Sequence, residues 1–223
     1  MKKIDFESEL KVLKENKFYR FSDLFFKKGI RWKSDRDTIL EKDEYKHTIL
    51  RKYLEQKTKE YDYDTIKKII RKYISENDLE QPSSSELVIH LRCGDYFDKK
   101  EKNYWELTLK QKYNLYKLFE EKFHQFKNNK IEKISIVTAL HFGANEINQK
   151  YFYSDEIYNE NIIFLKDFEN KINDLGYELS LVSNNDFDLD FCYMVNSKHF
   201  VKSVSQISNI IERLLDKNSN VYN

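Results

Sequence analysis

From Glu86 onward, short apolar runs alternate with longer segments whose apolar residues recur at helical spacing, and few chain topologies satisfy that order. The runs Glu86 to Leu91, Ile134 to Val137, Ile162 to Phe164, Tyr177 to Val182 and His199 to Val201 read as strands. Between them, Leu107 to Phe126 reads as a helix with Leu109, Tyr113, Tyr116, Phe119, Phe123 and Phe126 on one side. Phe168, Ile172 and Leu175 mark a short helix closed by Gly176, and Asp188 to Asn196 marks another. Ile207, Ile210, Ile211, Leu214 and Leu215 stripe a final helix, after which Asn218 to Asn223 is expected to fray. Strands that alternate with helices call for a parallel sheet covered on both faces, a Rossmann-like α/β domain.

The chain ahead of this pattern has a different texture. It is charged and helix-like, most clearly from Asp64 to Ser75, where Ile66, Ile69, Ile70, Tyr73 and Ile74 form a stripe. Gln81-Pro82-Ser83-Ser84-Ser85 then breaks the chain, which divides it into a helical N-terminal region, 1–82, and a nucleotide-sugar-sized α/β domain, 83–223. With 39 basic and 38 acidic side chains, the formal charge is only +1. No whole-protein field is available for nucleic acid or an anionic membrane, so any anion site has to be local. The two cysteines, Cys93 and Cys192, have no metal-type spacing and are expected as free thiols. Neither a leader-like N-terminus nor a membrane-length apolar run is evident, so a cytoplasmic location is expected.

In such sheets ligands bind beyond the carboxyl ends of the strands. Leu87-Val88-Ile89-His90-Leu91-Arg92-Cys93-Gly94-Asp95-Tyr96 falls there, with alternation placing Val88, His90 and Arg92 on one face. The planar, permanently charged guanidinium of Arg92 suits bidentate recognition of phosphate oxygens. Gly94 permits a sharp turn or a close backbone approach, and Asp95 is placed to hold the loop or to fix Arg92. The plainer alternative is an ordinary Gly-Asp turn with Arg92 paired to Asp95. Ser203, Ser205 and Ser208 surround the start of the last helix, where free N–H groups attract an anion. Simple capping of that helix by Ser203 or Ser205 is the alternative.

The segment His90-Leu91-Arg92-Cys93-Gly94-Asp95 resembles the His-x-Arg-x-Gly-Asp motif of the GDP-fucose-dependent fucosyltransferase superfamily, which includes α1,2-, α1,6- and protein O-fucosyltransferases. A second stretch, Asp190 to Val201 with Met194, Lys198 and His199, followed by the serines from Ser203 to Ser208, is similar to that family's downstream region. The resemblance spans residues 87 to 212. It implies the donor-binding half of a GT-B glycosyltransferase, with His90, Arg92, Gly94, Thr138, Asp190, Ser203, Ser205 and Ser208 around the donor. Arg92 would grip the diphosphate of GDP-fucose, and Asp95 is the nearest candidate to accept the proton of the acceptor hydroxyl.

The implied chemistry is metal-independent direct displacement, with a sugar nucleotide and a glycan acceptor as partners and no separate cofactor. Asp190 offers the two acceptors that guanine's N1–H and amine require, or serves as a first-turn acid favoured by the helix dipole. Thr138 is placed to line the same crevice, or merely starts a turn. His141 and His199 read as structural, and Asp62-Tyr63-Asp64 reads as a helix cap rather than a metal–diphosphate bridge.

Three departures from the family stand out. Cys93 occupies a position where a second Arg is common, and Asn209 and Ile210 follow where aromatic residues are common. The segment ahead of Pro82 is also too short for a full acceptor-binding Rossmann domain, which leaves a minimal enzyme, a piece of a larger protein, a degenerate relative that still binds nucleotide, or a chain whose acceptor half comes from a partner or a second copy. A non-catalytic nucleotide-binding subunit and a structural interaction protein are the competing readings.

Overall fold

The computed structural model describes residues 78–223, apart from 101, 139–143, 146–149, 152–154 and 184–186, together with residues 67, 68, 70, 71, 74 and 75 ahead of them. Most of the N-terminal region, including Asp62 to Asp64, lies outside the described residues, as do His141 and the side chain of Asp95. The described positions between 67 and 75 are helical, and Ile70 is buried among core residues. Lys67 Nζ donates to the Leu215 carbonyl at 2.6 Å, which ties this stretch to the end of the chain.

The elements follow the alternation expected from sequence. Strand β1 (Glu86–His90) leads through a 3-10 turn (Gly94–Phe97) into helix α1 (Lys102–Asn128) and strand β2 (Lys133–Thr138). A two-stranded antiparallel pair follows, β3 (Ala144–Asn145) with β4 (Lys150–Tyr151). Helix α2 (Asp155–Asp174), strand β5 (Glu178–Ser183), helix α3 (Phe187–Val195), strand β6 (His199–Val201), helix α4 (Gln206–Leu214) and strand β7 (Asn220–Tyr222) complete the fold.

Five strands form one sheet in the order β5-β2-β1-β6-β7, and every pairing in it is parallel. The central strand β1 is buried along its whole length, as a parallel strand covered on both faces must be. Alternation sends its side chains to two separate cores. Leu87 and Ile89 pack with Leu115, Phe119, Phe126 and Phe168 of α1 and α2, whereas Val88 packs with Phe191 of α3 and Ile211 and Leu214 of α4. The first core is built largely from rings: Phe119 lies 5.3 Å from Phe126 and 5.5 Å from Phe168. At the amino edge, buried Glu86 accepts from Ser135 and Tyr193 hydroxyls and from the Ser83 amide at 3.2 Å, with Lys133 at 3.5 Å.

Two helices end by the same device. At α2 the amides of Gly176 and Tyr177 return to the carbonyls of Asn173 and Ile172, at 2.9 and 3.2 Å, with Gly176 at φ 83°. At α1 Lys130 and Ile131 return to Lys127 and Phe126, at 2.9 and 3.0 Å, with the non-glycine Lys130 at φ 54°.

Three expectations are corrected. Ile162 to Phe164 is no strand but part of α2, where Ile162 and Phe164 are buried and Ile163 is 54% exposed. The tail does not fray: Asn220–Tyr222 adds β7 to the sheet beside β6, and Tyr222 packs edge-on against Phe126. The stripe on α1 is also rotated. Leu109 and Tyr113 face solvent, while Thr108, Gln111, Leu115 and Leu118 face inward. Among the described residues, no helix is long and apolar enough to cross a membrane.

Candidate functional site at the carboxyl edge of the sheet

Counted in chain order, the strands of the main sheet run 3-2-1-4-5, so the winding reverses between β1 and β6. Helices leave β1 and β6 in opposite directions there, and the space between their exits is where doubly wound sheets hold ligands. A crevice of about 400 Å³ opens at that point. Its apolar wall comes from Ile89, Leu91, Leu115, Leu118, Val201 and Val204. Its polar wall includes His90, Ser203, Lys110, Gln111, Asn114 and Asn209.

The segment after β1 is held by side-chain amides. The Leu91 amide continues the ladder to the Val137 carbonyl at 3.0 Å. One residue later the sheet has ended, and Gln111 of α1 takes over both backbone groups of Arg92. Its Oε1 accepts from the Arg92 amide at 3.1 Å, and its Nε2 donates to the Arg92 carbonyl at 2.8 Å. Asn161 of α2 treats Gly94 in the same way, accepting from its amide at 2.8 Å and donating to its carbonyl at 3.4 Å. Gly94 sits at φ 73°, a left-handed conformation that explains why glycine stands here. The Thr108 hydroxyl donates to the Tyr96 carbonyl at the end of the same turn. The Arg92 guanidinium lies 4.7 Å over the Tyr96 ring, which itself stacks on Tyr104 at 5.0 Å.

On the other side of β1, alternation sends His90 towards α4. Its Nδ1 lies 2.6 Å from Ser208 Oγ and 3.3 Å from Ser203 Oγ, and the two hydroxyls are 3.0 Å apart. The Ser203 amide donates to Ser208 Oγ at 3.1 Å, and the Ser205 amide donates to Ser203 Oγ at 3.3 Å. Ser205 caps α4, accepting from the Ile207 amide at 3.0 Å. The fold thus joins His90 to the serine cluster across 118 residues of chain. Ser205 serves the helix, Ser208 is fully buried in the network, and Ser203 and His90 reach the crevice wall.

Thr138 and Asp190 are buried, and the crevice lining includes neither of them, nor Arg92 or Gly94. Thr138 ends β2 beside Cys93, close enough for its hydroxyl to act on that thiol. Burial pushes the Cys93 thiol up to about 12, against the opposing pull of Thr138, Lys112 and Arg92, so it is a neutral thiol at ordinary pH. Asp190 lies in the first turn of α3, which begins at the carboxyl end of β5. Among the described residues, no group of three His, Cys, Asp or Glu side chains gathers as a metal site.

Gln111, Asn161, Lys110 and Asn114 were absent from the sequence-based site. One signal was available: Gln111 shares a helical face with Leu115 and Leu118, a polar residue in an apolar stripe. No protein-family model matches the chain, and no curated protein or solved structure is significantly similar to it.

Proposed function

We propose that the chain is a glycosyltransferase domain that takes a GDP-sugar, fucose being the sugar, and transfers it to a glycan or small acceptor by direct displacement. The observation that carries this reading is the crevice at the winding reversal, walled by His90 and by Ser203 from the segment that opens the last helix. The two stretches that resemble fucosyltransferases flank one ligand-sized space. In this reading Arg92, on a backbone clamped by Gln111, meets the diphosphate as it departs. Fixed donors aimed at developing charge cost no reorganisation during reaction, and they are the main contribution such a site makes. Asp95 would accept the proton from the acceptor hydroxyl, and Asp190 would read guanine.

Binding without catalysis is the second reading, favoured by one observation: among the described residues, no carboxylate side chain lines the crevice. A panel of GDP, UDP and CMP in thermal unfolding tests the donor, because a ligand at 100 times its Kd adds roughly 2.7 kcal/mol of stability. GDP alone should shift the transition, and Asp190→Asn should weaken that effect selectively, since an amide donor would then face guanine's donors. Equal shifts with UDP or CMP would remove the fucosyltransferase reading. Release of GDP from GDP-fucose in the presence of glycan acceptors separates enzyme from binding subunit.

A further inference from the structure

We propose that Lys110 is a diphosphate-binding residue, the cation that meets the donor's phosphates from the α1 side of the crevice. The proposal rests on the crevice being the donor site, and it names a contact that the sequence motif does not contain.

Among the described residues, two lysines, Lys110 and Lys202, contribute to the lining and no aspartate or glutamate side chain does, while Asn223, the last residue of the sequence, also lines it. Lys202 is already neutralised, with its Nζ 2.8 Å from Glu212 Oε2. Lys110 makes no ion pair or hydrogen bond among the described residues. Of the two lysines, Lys110 is therefore the one with no ion pair among the described residues. Lys110 is an exposed residue, so its attraction for an anion should fall as salt rises.

The groups around Lys110 suit the same ligand. Asn114 lies one turn further along α1, on the same side of the helix. Gln111 and Asn209 add amides from α1 and α4, and Ser203 a hydroxyl. Amides and hydroxyls donate to phosphate oxygens and both donate to and accept from sugar hydroxyls. A flexible ammonium binds phosphate as a point charge, which complements a planar guanidinium instead of duplicating it.

The test uses inorganic pyrophosphate and GDP as separate probes, titrated by calorimetry into wild type, Lys110→Gln, Lys110→Arg and Lys122→Gln. Lys122 is an exposed lysine on the same helix outside the crevice. Removing one charged hydrogen bond should weaken both probes about tenfold. Lys110→Arg should restore most of the affinity, and Lys122→Gln should leave it unchanged. Tight GDP binding that Lys110→Gln leaves untouched would overturn the proposal while sparing the donor reading. Lys110-dependent pyrophosphate binding with no GDP binding would uphold the anion site and overturn the donor reading. Failure of both probes with wild type would overturn both.

Discussion

Arg92 and Cys93 are adjacent in the chain and opposite in situation. Arg92 is a partly buried residue with its guanidinium over Tyr96, while Cys93 is 1% exposed and protonated. The Arg92 backbone is held by Gln111, so truncation of its side chain should leave that clamp in place. Arg92→Ala is expected to weaken GDP binding by about 1.5–3 kcal/mol for each charged hydrogen bond lost. Its urea unfolding midpoint should stay close to wild type. Arg92→Lys should rescue poorly, since an ammonium lacks the planar fork. Unchanged affinity in both variants by calorimetry would make Arg92 structural. His90, Arg92 and Gly94 were legible because strand exits and glycines have positional meaning. Gln111 and Asn161 were not, because an amide in a helix gives no sign of whether it faces water or an orphaned backbone group.

At the scale of elements, the alternation after Pro82 carried most of the fold, and its failures have physical causes. Ile162 to Phe164 is a run of three apolar residues inside a two-sided helix, a length at which strand and helix look alike. The polar tail hid β7 because an edge strand buries little; only Tyr222 is buried. The two helix ends give a prediction of opposite signs. Gly176 at φ 83° has room for a methyl group, so Gly176→Ala should cost about 1 kcal/mol through backbone strain alone. Exposed Lys130 at φ 54° already bears that strain, so Lys130→Gly should raise stability by about 1 kcal/mol. Urea denaturation of both variants checks the pair.

The β6–β7 pairing carries a pH dependence. His199 Nδ1 lies 3.1 Å from the Tyr222 hydroxyl and 3.3 Å from Asn220 Nδ2. Burial, with Lys198 nearby, holds this imidazole below its ordinary 6.5. The unfolded chain therefore takes the proton more readily than the folded one. The contribution of neutral His199 is complete above 6.5 and is lost as pH falls through that value towards the lowered folded one. His199→Gln should flatten the fall in stability below 6.5, whatever its effect at neutral pH. An unaltered slope would assign the acid sensitivity to other groups.

For the whole molecule, near-balanced charge sets what kind of anion site is possible. A net charge of +1 provides no long-range steering, so affinity has to come from a few local cations and dipoles. Nucleotide binding should accordingly weaken as salt rises over the range where the Debye length shortens from about 10 Å to about 3 Å. It should also survive EDTA, since Arg92, Lys110 and the start of α4 are proposed to meet the diphosphate. A requirement for Mg²⁺ or Mn²⁺ in the same calorimetric titration would remove the fucosyltransferase assignment and leave a generic sugar-nucleotide site.

The strand order has a further consequence, in time instead of space. β1 lies between β2, which follows it directly through α1, and β6, which arrives only after α3. Until then one flank of β1 is an unpaired edge, open to any other extended chain. His90 meets Ser208 only when the chain returns from 118 residues downstream, a slow kind of closure. During synthesis His90 is thus made early and gains its place in the crevice wall late, so that a chain stalled before α4 would carry the segment after β1 on a sticky half-sheet with no crevice beside it.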